Sequence, residues 1–155
     1  MMVQFSDIAL ANIEAAIQTI DSIKDNTMFE QRQLSTTTTI HNAVHTIVDY
    51  YERIDKSSLS AEEDDLFRAF MYVNNQIKHD TNLQCVTYNV SGSMYPYDYP
   101  FRYGSPGVMW ADFTDNGRKD ARGKREHYEK MLINKEVKIT MIEVKSVINK
   151  LKRES

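Results

Sequence analysis

The stretch from Ser60 to Asp80, SAEEDDLFRAFMYVNNQIKHD, carries the clearest pattern in the chain. Leu66, Phe70, Val73 and Ile77 recur at helical spacing and define one buried face. Ser60, with Glu63 three residues later, forms a capping box, and Glu62, Glu63, Asp64 and Asp65 lie at the positive end of the helix dipole. Upstream, Ile8, Ile13, Ala16, Ile17, Ile20 and Ile23 keep a 3.6-residue period, which predicts a first helix capped by Ser6 and running to about Lys24. After the polar break at Asp25, Asn26 and Thr27, a long second helix is expected from about Met28 to Asp55. Ile40, Val44, Ile47, Tyr51 and Ile54 form its buried stripe. The β-branched run Thr36 to Thr39 lowers helix propensity and marks a weak point or a kink. Lys56 to Leu59 forms the turn into the third helix.

Beyond His79 the period changes. Leu83 to Val90 and Gly107 to Phe113 are rich in β-branched and aromatic residues, and both read as short strands able to pair as a hairpin. Between them, SGSMYPYDYPFRYGSP holds all three prolines and four of the nine tyrosines, an ordered aromatic loop of a length that often serves binding. Asp115, Asn116 and Gly117 signal a turn. The charged segment from Arg118 to Glu129 leads into a last helix through about Leu151, with Leu132, Val137, Met141, Val144, Ile148 and Leu151 as its apolar positions. Short connections between the first three helices predict an all-α single domain. Its expected architecture is an antiparallel four-helix bundle with the β-hairpin and aromatic loop inserted before the last helix.

Composition narrows the setting. The 155 residues, 41% apolar and 26% charged, suit one soluble globular domain. A net charge of -3 gives no global attraction to nucleic acid or an anionic membrane, so polyanion binding would need a local patch. Cys85 is the only cysteine, which excludes an intramolecular disulfide and fits a reducing compartment. The N-terminal apolar positions lack a preceding basic residue and are interrupted by Asp7 and Glu14, so they read as neither signal peptide nor membrane span. A cytoplasmic protein is expected.

The third helix also carries a second stripe, Arg68, Tyr72, Asn75 and His79, at steps of four, three and four. At 100° per residue these side chains fall within roughly 40–60° of arc. A solvated face would carry Lys and Glu; this one offers a guanidinium, a phenol, an amide and an imidazole. An amide and an imidazole one turn apart can hold a hydroxyl or phosphate, with His79 as acid or base near neutral pH. Alternatively, Asn75 and His79 cap the helix C-terminus or hydrogen-bond the insertion.

A helical bundle with Asn75-x-x-x-His79 near the end of its third helix resembles the HEPN family (higher eukaryotes and prokaryotes nucleotide-binding). Family members carry an Arg, a polar residue, three variable residues and a His. The resemblance implies a metal-independent ribonuclease working without a cofactor as a homodimer, with single-stranded RNA or a nucleotide as its partner. Asn75 and His79 match the polar residue and the histidine, and Tyr72 is an aromatic neighbour. Asn74 occupies the Arg position and cannot supply the charge that stabilises a pentacovalent phosphate. Arg68 shares the face of His79 but lies three turns away, so only a dimer partner could bring one to the other. The resemblance therefore implies a HEPN-like fold more than an active nuclease. In it, His79 would be the acid/base and Asn75 would orient the phosphate, with Arg68 or a basic stretch supplying charge.

Three further patterns bear on function. His41, His45 and Asp49 share one face of the second helix at steps of four and could hold a divalent ion, with His79 as a fourth ligand, or they are a polar stripe beside Val44 and Val48. Arg118, Lys119, Arg122, Lys124, Arg125, His127 and Lys130, with Arg102 and the loop tyrosines, could make a phosphate-binding surface for single-stranded RNA or simply a solvated helix start. Trp110 and the tyrosines at 88, 95, 97, 99 and 103 either cover the bundle's open end or form a protein interface. The last option defines a rival class, a non-catalytic interaction module such as a defence or toxin–antitoxin partner. Cys85 has no basic neighbour in sequence and reads as a buried small residue rather than a nucleophile.

Overall fold

The computed structural model describes residues 2–23, 29–80, 84–89, 107–113 and 125–154. In chain order the elements are α1 (Phe5–Asp21), α2 (Phe29–Arg53), a 3₁₀ turn (Lys56–Ser58), α3 (Ala61–His79), β1 (Val86–Asn89), β2 (Gly107–Trp110), α4 (Arg125–Met131) and α5 (Val137–Glu154). The protein is mostly helical, with a small antiparallel hairpin. No described helix is long and apolar enough to cross a membrane.

Local chemistry fixes most of the boundaries. At α3 the expected capping box forms: Ser60 Oγ accepts from the Glu63 amide at 3.1 Å, and Glu63 Oε1 accepts from the Ser60 amide at 2.9 Å. The first helix begins earlier than its Ser6 signal. Gln4 is the N-cap, its amide donating to Asp7 Oδ2 at 3.2 Å, and Ser6 lies buried inside the first turn. The threonine run does not interrupt α2. Thr38 and Thr39 return their hydroxyls to the carbonyls of Leu34 and Ser35, so these side chains bond the helix instead of competing with it.

α3 sits at the centre. Phe67 stacks on Tyr51 with ring centroids 5.1 Å apart, Phe70 meets Trp110 edge-on, and Tyr72, Phe113 and Tyr128 form a mutually packed cluster. Leu66, Phe70 and Val73 are buried as their spacing requires, and Ile77 packs half-buried at the edge of the same core. α3 therefore packs against α2 and α4, and the hairpin segment meets α3 where Trp110 touches Phe70 and α2 where Cys85 touches His41 and Tyr88 touches Thr37.

α1 and α5 are bound by a ladder with a period of seven. Lys138 pairs with Asp21 at 2.7 Å, Lys145 with Glu14, and Lys152 with Asp7 at 2.8 Å. As the lysine number rises by seven the acid number falls by seven, so the helices run antiparallel with one register. Each exposed pair is worth at most about 1 kcal/mol, and the ladder's contribution lies in fixing register.

The strands pair in the register Val86↔Trp110, Thr87↔Met109, Tyr88↔Val108 and Asn89↔Gly107, the hairpin that their composition predicts. The aromatic loop joining them and the turn at 115–117 lie outside the described residues.

One expectation is corrected. The last helix is not continuous into α5: it ends at Met131, turns, and restarts at Val137. Asn134 takes a left-handed conformation at φ 62°, the Trp110 amide donates to the Lys135 carbonyl at 3.0 Å, and the Asn134 amide donates to the Trp110 carbonyl at 3.1 Å. Met109 and Glu136 form an isolated antiparallel bridge there. The turn thus supplies the outer edge of β2 with backbone partners that a continuous helix would withhold from a buried strand.

Candidate functional site

The four stripe residues of α3 do not share one environment. Arg68 donates through Nε to Asp64 Oδ2 at 2.7 Å, and the Tyr51 hydroxyl donates to the other oxygen of Asp64 at 2.5 Å. Partial burial works against the Asp64 charge, but the hydrogen bonds from Tyr51 and Arg68 outweigh it and hold its carboxyl below the ordinary value. The same contact with Asp64 pushes the Arg68 pKa up, while burial and then Asp64 raise the Tyr51 phenol to about 12. The Arg68 guanidinium is thereby neutralised locally.

Tyr72 is a core residue. It stacks on Phe113 at 5.9 Å and 14° between ring planes, with Tyr128 at 5.6 Å. Beside it Arg125 bonds Asp112 at 2.7 Å, Glu129 at 2.9 Å and the Phe113 carbonyl at 2.5 Å. Burial opposes the Arg125 charge, yet hydrogen bonds with Tyr72 and Glu129 prevail and its pKa moves up. The basic stretch therefore contributes Arg125 as a clamp for the α4 start, and its members at 118, 119, 122 and 124 lie outside the described residues.

Asn75 and His79 occupy the last two turns of α3, Asn75 half-buried and His79 exposed. Between Arg68 and His79 the helix rises about 16 Å, so one subunit does not bring the two to a common phosphate. Asn74, at the position where the HEPN pattern has Arg, is buried among core residues. Its short neutral amide suits that site; an Arg there would need a paired, solvated head.

The second-helix triad divides. His41 turns to Cys85, Nε2 to Sγ at 3.4 Å, while His45 Nε2 lies 3.4 Å from Asp49 Oδ2. Burial lowers the His41 pKa and pushes the Cys85 thiol up to about 12, so the pair is a neutral contact under the hairpin rather than a thiolate–imidazolium couple. Among the described residues no group of three or more His, Cys, Asp or Glu could hold a metal ion.

Two contacts escaped the sequence pattern. The acidic start of α3 holds α4 as well as capping its own helix: Asp65 takes Lys130 at 2.8 Å and faces His127 at 3.8 Å. The second is the Cys85–His41 contact, whose partners stand 44 positions apart. Neither spacing has a local signature. Trp110 is fully buried and Tyr88 is half-buried, its hydroxyl meeting Thr37 at 2.5 Å and the Gln33 carbonyl at 3.1 Å. These two aromatics serve as core cover; the tyrosines at 95, 97, 99 and 103 lie outside the described residues.

No protein-family model, curated protein or solved structure matches the chain.

Proposed function

We propose that the chain is a cytoplasmic, HEPN-like RNA- or nucleotide-binding protein whose ribonuclease activity is weak or lost, working as a homodimer. In this reading its four long helices act as an antiparallel bundle. The observation that carries the reading is the end of α3, where an exposed imidazole follows a half-buried amide by one helical turn. His79 serves as the acid/base and Asn75 orients a phosphate or ribose hydroxyl. The charge that cleavage requires is the missing part. Asn74 is buried, and Arg68, the one arginine of α3, is held by Asp64. Binding is therefore favoured over turnover. The test is cleavage and binding of labelled single-stranded RNA with excess chelator, comparing wild type with His79→Ala. Salt-sensitive binding that weakens in the variant supports the reading; identical cleavage and binding in both proteins would sink it.

The same neutralisation of Arg68 favours a second reading, a non-catalytic interaction module using the Tyr-rich loop. Capture of a partner that depends on Tyr97 or Tyr99 and ignores His79 would select it.

A further inference from the structure

At the end of the molecule where α1 begins and α2 and α5 finish, a cleft of about 350 Å³ opens, floored by Tyr50, Ile54 and Leu151 and edged by Asp55, Lys152 and Glu154. Its size is that of a small-molecule site, and its lining joins the three floor residues to polar groups that also include Gln4, Ser6 and Ser58. Three cations at this end, Lys152, Lys56 and Arg53, already have partners. Lys152 bonds Asp7 at 2.8 Å; Lys56, just outside, gives Nζ to the Tyr51 carbonyl at 2.8 Å. Arg53 donates to the Asp49 carbonyl and lies over the Phe5 ring at 3.9 Å.

The acceptors are less fully used. Asp55 Oδ1 takes both the amide and the hydroxyl of Ser57, leaving Oδ2 with capacity. Among the described residues Glu154 lies in the field of Lys150 without a direct hydrogen bond or ion pair, and the Tyr50 hydroxyl makes no hydrogen bond. α2 and α5 both end here, so the negative ends of two helix dipoles meet the positive end of α1 alone. We infer that this cleft binds a small organic cation, a primary ammonium on an apolar body, with the body against Tyr50, Ile54 and Leu151 and the ammonium between Asp55 and Glu154. The site is independent of His79.

The test is calorimetric titration of the full chain with 2-phenylethylamine, set against 3-phenylpropionate, an anion of similar shape. The amine is expected to bind saturably and the anion not. Glu154→Gln and Asp55→Asn, which keep the side-chain shape and the turn acceptor, should each weaken the amine by about fivefold, the upper range for a partly exposed charge pair. Circular dichroism establishes that both variants fold, and the His79→Ala protein should bind the amine as wild type does. Absence of saturable amine binding, equal binding of amine and anion, or wild-type affinity in both carboxylate variants would each overturn the inference.

Discussion

Thr140→Val tests how the hairpin is held to the helices. Trp110 and Thr140 are both fully buried, the indole Nε1 donates to Thr140 Oγ1 at 2.9 Å, and the same hydroxyl donates to the Val137 carbonyl at 2.8 Å. Valine keeps the volume but removes the acceptor, leaving an indole N–H with no partner in a dry site. The expected cost is about 1–3 kcal/mol, the desolvation penalty of a buried donor left unsatisfied. For a protein of this size each kcal/mol lowers Tm by about 2–4 °C. Trp110 is the only tryptophan, so its emission during urea unfolding reports on this contact, with far-UV circular dichroism following the helices. Both probes should show an earlier midpoint in Thr140→Val and only a smaller shift in Thr140→Ser, about the cost of one buried methyl, because Ser restores the acceptor. A Thr140→Val protein within about 0.3 kcal/mol of wild type, well under the cost of an orphaned donor, would refute the claim that this bond anchors β2.

Other expectations follow from the same contacts. At the left-handed Asn134, the Gly variant should be more stable than the Ala variant by roughly 1–2 kcal/mol in urea unfolding, because Ala carries a Cβ that clashes with a neighbouring carbonyl and Gly does not; equal stabilities of the two variants would contradict the turn. Glu63 is held below its ordinary value of 4.5, first by the hydrogen bond with Lys150 and then by the Ser60 amide. Its contribution is therefore fully present above pH 4.5 and lost as pH falls through the depressed value. The stability gap between wild type and Glu63→Gln should be constant from pH 6 to 8 and shrink below about 4.5; a gap that widens with acid would reverse the assignment. With its thiol raised to about 12 and buried, Cys85 should resist a disulfide reagent at pH 8 until urea unfolds the protein. Rapid native-state modification would show that the site is open.

Local physical chemistry made much of the fold legible. The α3 capping box needs only Ser60 and Glu63 at a fixed offset, and the apolar period of α2 needs only its own residues, so both could be read from the chain. The two strands were legible because β-branched and aromatic residues cluster in each. The break at Asn134 was not, because 132–136 turns to satisfy the edge of Trp110, a strand more than twenty positions away. The same holds for the site. Spacing placed Arg68, Tyr72, Asn75 and His79 on one stripe, and the helix keeps that stripe. Tertiary packing then committed Arg68 to Asp64, whose other oxygen Tyr51 holds, buried Tyr72 against Phe113 and Tyr128, and left His79 exposed.

The sequence by itself determined where α3 begins and which faces of the helices are apolar, since these depend on neighbours within a turn or two. Only the tertiary structure decided partners. The lysines at 138, 145 and 152 repeat by seven in the sequence, but nothing local says that Asp21, Glu14 and Asp7 answer them in reverse order. Nor does it say that His41 meets Cys85. Such pairings rest on burial and backbone hydrogen bonding across long separations, where the free energy belongs to the packed whole and has no short-range spacing to betray it.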